Sequence, residues 1–196
     1  MKFSEILPAL LRRLRFFWKA RTRYDIHSPL VAGLVEAVLE DRRNYYAFFD
    51  IEMARNKWLA DDTMIHLPKL GAGSTVSDAS QRRAGDILRN TAVSPETGRR
   101  LFRLALWLRP SSILELGASM GISTAYLAAA DTRIPLVSIE GNTAVAQKAQ
   151  AHLYELGLHQ VELISGLFDE QLPAALASLD RLGLLFIDGD HRREAV

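Results

Sequence analysis

The sequence predicts an α/β protein: a Rossmann-like parallel sheet with helices on both faces, preceded by a helical N-terminal region. Three observations predict it. From Ile113 onward, short apolar runs alternate with helical stretches through short loops, the pattern of successive βαβ units. Within that region Ser111–Ala130, SSILELGASMGISTAYLAAA, reads as a buried strand, a glycine turn and a helix. The chain has 196 residues, 48% hydrophobic and 24% charged, the length and balance of one such domain with an appendage.

The chain opens on residues 3–24, a basic amphipathic helix expected to start after Pro8. Leu7, Leu10, Leu11, Leu14, Phe17 and Trp18 recur at helical spacing on one face. Such a helix either docks its apolar stripe on a domain or attaches to an anionic membrane or nucleic acid; docking is the commoner use and the expectation here. Asp25–Pro29 is a break, with Ser28 as N-cap and Pro29 at the first helical position. His27 beside it reads as a capping or hydrogen-bonding group rather than a site residue. A helix over Pro29–Glu40 follows, with Leu30, Leu34, Val38 and Leu39 inward.

Tyr45, Tyr46, Phe48 and Phe49 form a dense aromatic group, expected to join helices in a hydrophobic cluster. Ile51–Ala60 reads as helical. Gly71-Ala-Gly73-Ser74 follows a stretch with a proline and a lysine that makes a poor buried strand, and Thr75–Arg83 is polar without an apolar face. The expectation is a mobile loop. Ser94-Pro95-Glu96 then carries a helix start, with a cap, a first-turn proline and an acid at the positive end of the helix dipole. That helix runs to Leu108, with Leu101, Leu104, Ala105 and Leu108 on one face. The expected division is a helical cap region over residues 1–93 and the Rossmann-like domain over 94–196.

In the second region the strands are Ile113–Leu116, Leu136–Ile139, Val161–Ile164 and Leu184–Ile187. The intervening helices are Ile122–Ala130, Thr143–Leu156 and Pro173–Leu179. Ligands of open α/β sheets bind outside the carboxyl ends of the strands, so the residues there are the candidates. After the first strand, Glu115, Gly117, Ala118, Ser119, Met120, Gly121 and Ser123 form a turn that aims backbone N–H groups and a helix N-terminus at one spot. The dinucleotide fingerprint G-x-G-x-x-G is absent: Ser119 stands where a pyrophosphate needs a glycine, and the nearby Glu115 would repel phosphate but attract an ammonium group. Glu140, followed by Gly141, ends the second strand, where a carboxylate can accept hydrogen bonds from both ribose hydroxyls. Asp188, Asp190 and His191 end the fourth. They have three readings: oxygen ligands for a hard divalent cation, groups that position and deprotonate a hydroxyl, or a polar turn.

The run E-L-G-x-x-x-G-x-S at Glu115–Ser123, the strand-end Glu140, the Ser165-Gly166-Leu167-Phe168-Asp169 loop and the Ile187-Asp-Gly-Asp-His191 segment occur in one order and spacing. Together they resemble class I S-adenosylmethionine (SAM) methyltransferases, in the form common among small-molecule O-methyltransferases. The resemblance covers residues 95–196. It implies SAM as cofactor, with Gly166, Leu167 and Phe168 about the adenine. It also implies direct methyl transfer to a small-molecule acceptor, with Asp188 and His191 as catalytic groups. In metal-dependent members it would make Asp188 a ligand for Mg2+. The N-terminal half carries no motif of the family, though such enzymes often place a helical cap over the acceptor site there.

The resemblance implies a seven-stranded sheet in the order 3-2-1-4-5-7-6, of which this sequence supplies the first four strands. Leu184–Ile187, apolar on both faces, would then be an exposed edge. The expectation is a piece of a longer protein of about 250 residues. Competing functions are an NAD(P)-dependent oxidoreductase on a similar sheet, which Ser119 disfavours, and a catalytically silent binding protein that keeps the fold.

The chain holds no cysteine, which excludes disulfides, thiolate metal sites and a cysteine nucleophile and suits a reducing, cytoplasmic setting. No run approaches the roughly 20 apolar residues of a membrane span. Charge is uneven: residues 1–23 carry seven Lys and Arg against Glu5 alone, whereas residues 110–196 carry eleven acids against five bases. The acidic half is unlike a nucleic-acid surface. A homodimer is a candidate assembly.

Overall fold

A computed structural model describes residues 3–19, 26–67 and 81–189. The chain divides into two compact units, Met1–Asp41 and Arg42–Val196. No helix among the described residues is long and apolar enough to cross a membrane.

The first unit holds α1 (Phe3–Lys19) and α2 (Pro29–Leu34). α1 runs through Pro8 rather than starting after it. The proline removes one ladder bond, to the Ser4 carbonyl, and the helix continues beyond it; residues 20–24 of the expected helix lie outside the described ones. Ser28 caps α2 as expected, its hydroxyl accepting from the Val31 amide at 3.4 Å. α2 then widens into a π-helical segment, Val35–Leu39. Val38 is buried, but Leu30 and Leu39, expected inward, are exposed; the change of period falls at Leu39, whereas Leu30 lies ahead of it in the first turn of α2.

The second unit begins with α3 (Tyr46–Trp58), which starts five residues before the expected Ile51 and buries Phe48, Ile51 and Trp58. Of the aromatics expected to cluster, Tyr45 and Phe48 pack with Phe102 at ring-centroid distances of 4.8–5.3 Å, whereas Tyr46 and Phe49, on the outer face of α3, are exposed. β1 (Met64–His66) pairs antiparallel with β2 (Gln81–Arg83). The polar stretch read as loop through Arg83 thus ends in a strand. An exposed two-stranded ribbon needs only one inward side chain here, Ile65, so its sequence lacks the apolar alternation that marks a buried strand. Gly71–Ser74 lies outside the described residues. α4 (Ala84–Thr91), not foreseen, buries Ala84, Ile87 and Leu88.

α5 (Pro95–Leu108) starts as the sequence signals, with Ser94 Oγ accepting from the Thr97 amide at 3.1 Å. Its buried face is Gly98, Leu101, Phe102 and Ala105, a rotation away from the expected Leu104 and Leu108. The reason is Gly98: a Cβ there would lie 2.2 Å from the Tyr126 ring, so the aromatic fills the space its missing side chain leaves. The Tyr126 hydroxyl donates to Glu52 at 3.2 Å, and Arg99 grips the same carboxylate with two bonds of 2.8 Å.

The sheet comprises β3 (Ile113–Leu116), β4 (Leu136–Glu140), β5 (Val161–Ser165) and β6 (Leu184–Ile187), all parallel in the order β5-β4-β3-β6. In chain order that is 3-2-1-4. The crossovers are α6 (Ile122–Ala129), α7 (Thr143–Glu155) and α8 (Phe168–Ala177). α8 starts five residues before the expected Pro173, which lies inside it. Asp169 and Glu170 in its first turn favour that earlier start. β3 is buried at all four positions, whereas Leu185 and Ile187 of β6 are exposed, as an edge strand leaves them. Ile113 and Leu136 join the larger core with α3, α5, α6 and α7, and Leu114, Leu116, Val137 and Ile139 pack on α8 from the other face.

Candidate cofactor site at the strand ends

The turn after β3 is built from unusual backbone angles. Gly117 and Gly121 have φ of +101° and +83°, and between them Ser119 is left-handed at +45°, rare for a residue with a side chain. A Cβ on Gly117 would lie 2.7 Å from the Asp188 carbonyl, so a glycine is required for the turn to pass the end of β6. The Gly117 amide donates to the Ile139 carbonyl at 2.9 Å, and the Gly121 amide to Ala118 at 2.8 Å. α6 then begins without a side-chain cap, leaving its first-turn N–H groups for a ligand. Ala118 and Met120 are buried.

Glu140 binds two turns together. Its Oε2 accepts the Ser119 amide at 2.8 Å and its Oε1 the Asn142 amide at 2.9 Å. Burial raises its pKa, while the amides of Asn142, Ser119 and Gly141 oppose the rise. Each carboxylate oxygen keeps a second lone pair, which a ribose diol can use. The Glu140 carbonyl accepts the Gly166 amide at 3.0 Å, tying the β5 loop to the same strand end.

Glu115 is third in β3 and fully buried. Its Oε2 accepts from Thr124 on α6 and from Ser138 on β4, while its Oε1 has no hydrogen bond. Burial pushes its pKa above the ordinary carboxylate value; the hydroxyls of Ser123, Ser138 and Thr124 oppose this, and the charge of Asp188 adds to it. The carboxylate therefore lies beneath the turn, between sheet and helix. Leu167 at the β5 end is partly exposed, whereas Phe168 packs on the smaller core, where a Cβ on Gly189 would meet its ring at 2.7 Å. Asp188 follows β6 and donates its amide to Leu116 at 2.9 Å. His191 and Asp190 lie outside the described residues. Among the described residues no three His, Cys, Asp or Glu side chains gather as a metal site requires.

Two residues at this turn are illegible in the sequence. Thr91 Oγ1 at the end of α4 lies 2.6 Å from Ser119 Oγ, and His152 Nδ1 on α7 lies 3.0 Å from the Met120 carbonyl. Each contact joins segments about thirty residues apart, and neither residue sits in a motif.

Residues 114–196 match a family model described as a methyltransferase domain. No curated protein matches the chain significantly. Among solved structures, an O-methyltransferase from Bacillus cereus in complex with S-adenosylhomocysteine (SAH) is 21% identical, with a TM-score of 0.52, over 82% of this chain and 61% of that one. An SAH-bound methyltransferase from Podospora anserina is 19% identical, with a TM-score of 0.50, over 84% and 59%. The O-methyltransferase TomG of Streptomyces achromogenes, in complex with SAM, is 26% identical with a TM-score of 0.49, over 75% and 55%. The chain thus spans 55–61% of the length of these proteins. Residues 114–196 match a methyltransferase domain, and the strand order and glycine turn of the described residues are those of the class I, Rossmann-like fold.

Proposed function

We propose that this chain binds SAM in the turn between β3 and α6 and is the cofactor-binding part of a SAM-dependent methyltransferase that acts on oxygen of a small molecule. The observation that carries the reading is Glu140. One carboxylate at the end of β4 holds the amides of Ser119 and Asn142 and so fixes two strand-end turns around a single point. The SAH held by the Bacillus and Podospora proteins supports the same ligand here.

In this reading Glu140 takes the ribose hydroxyls and Gly141 gives room beside it. The turn from Gly117 to Ser123 takes the amino-acid end, and Gly166, Leu167 and Phe168 border the base. Glu115 lies buried beneath the turn and braces it through the hydroxyls of Thr124 and Ser138. The bound cofactor supplies a methyl group made electrophilic by its sulfonium. The protein's work is alignment of the acceptor and removal of its proton. Asp188 at the exposed end of β6 is the group for orienting the acceptor hydroxyl, with His191 beyond it as base. A homodimer and a reducing, cytoplasmic setting complete the proposal, the latter supported by the absence of cysteine.

Equilibrium dialysis with labelled SAM tests the ligand. Saturable binding displaced by SAH and not by NADH is expected. Displacement by NADH, or binding of NADH alone, would favour an oxidoreductase on the same sheet.

A further inference from the structure

Ser119 carries the strain of the turn, since left-handed backbone at a non-glycine residue is disfavoured unless its neighbours hold it. Three groups do. Glu140 takes its amide at 2.8 Å, Thr91 meets its hydroxyl at 2.6 Å, and His152 meets the next carbonyl, that of Met120, at 3.0 Å.

The direction of these bonds follows from their partners. Thr91 Oγ1 donates its one hydrogen to the Ile87 carbonyl at 2.9 Å. The hydrogen in the Thr91–Ser119 contact therefore comes from Ser119, whose Oγ is left with lone pairs only. That suits a cationic group at the turn and not a phosphate. His152 faces a carbonyl, so Nδ1 carries the hydrogen and donates. The imidazole is itself clamped: it is buried, and it stacks on the Trp58 indole with centroids 3.8 Å apart and planes 9° from parallel. Trp58 in turn donates from Nε1 to Glu155 at 3.1 Å.

We propose that Thr91 and His152 are positioning residues that hold Ser119 and Met120 in the ligand-ready backbone before the cofactor arrives, with Thr91 also turning the Ser119 hydroxyl into an acceptor for the cofactor's ammonium group. This rests on the reading of the turn as the SAM site. The strand ends alone do not set the turn. α4 and α7 set it from outside, and α3 supports α7 through Trp58.

The test pairs two substitutions at each position. His152→Phe keeps a ring on Trp58 and removes the donor. His152→Asn loses the ring but places an amide nitrogen the same number of bonds from the backbone as Nδ1. Thr91→Val removes the hydroxyl and Thr91→Ser keeps it. Two quantities are read for each: SAH affinity by calorimetry, and amide hydrogen exchange at Ser119 and Gly121 in the protein without ligand. The proposal expects His152→Phe and Thr91→Val to weaken SAH by about three- to tenfold, the worth of one hydrogen bond, and to speed exchange at the turn by a similar factor. Asn and Ser should restore both, even where the melting temperature falls. Unchanged exchange in Phe and Val, or affinity that follows melting temperature across all four variants, overturns it. If the unsubstituted protein fails to bind SAH, the cofactor reading falls, and the exchange rates still decide whether these residues preset the turn.

Discussion

Ser138 donates to the buried Oε2 of Glu115 at 2.6 Å, and the two are register partners on adjacent strands. The central strand of the sheet therefore carries an acid that water never reaches, solvated by hydroxyls on β4 and α6. Such a group makes stability depend on pH with a definite sign.

Burial raises the Glu115 pKa in the folded state, so the folded protein binds the proton more tightly than the unfolded chain. Its contribution is whole below the ordinary carboxylate value and is lost as pH rises from there through the folded pKa. Across that window Glu115 makes stability fall, and Glu115→Gln, whose amide oxygen can still accept from Ser138 and Thr124, should remove that fall. Thermal melts must compare the two proteins, because His152, whose pKa burial lowers, works the opposite way in both. The same pH profile in the two proteins would contradict the sign.

Gly98→Ala tests the seam between α5 and α6. A Cβ at this position meets the Tyr126 ring at 2.2 Å. Overpacking of this kind destabilises by about 1–3 kcal/mol. Urea denaturation should show the loss as a lower midpoint with an unchanged slope. No change in midpoint would mean that the ring moves aside freely.

Gly117→Ala combines two faults, a left-handed backbone at φ +101° and a Cβ 2.7 Å from the Asp188 carbonyl. The backbone term alone is roughly 1–2 kcal/mol. The variant should melt earlier and bind SAH far more weakly, because relief of the clash separates the turn from β6. Circular dichroism melts with calorimetry at the same protein concentration distinguish this from simple unfolding. Wild-type affinity in Gly117→Ala would remove the turn from the site.

Much of this was legible in the sequence, and the reasons are local. Ile113–Leu116 and Leu184–Ile187 are found at their expected bounds because each is a short run of mainly apolar, strand-favouring residues flanked by turn residues. Ser94-Pro95 marks its helix because a cap and a first-turn proline act within one turn. Harder elements depend on distant partners. The buried face of α5 rotates toward Phe102 because Tyr126, on another helix, occupies the space above Gly98. Gln81–Arg83 forms a strand only through its pairing with Met64–His66. At the site, Glu140 stood out as an acid at a strand end. Thr91 and His152 did not, since their role exists only once α4 and α7 come against the turn.

The central claim is that Glu140 organises a SAM site, and calorimetric titration of SAH into the wild type and Glu140→Ala tests it most directly. Removing the carboxylate leaves the Ser119 and Asn142 amides without their acceptor and the ribose without its partner. The expected loss is about 1–3 kcal/mol of binding free energy, roughly five- to 150-fold in Kd. Equal affinity in the two proteins, with both folded, would contradict the account.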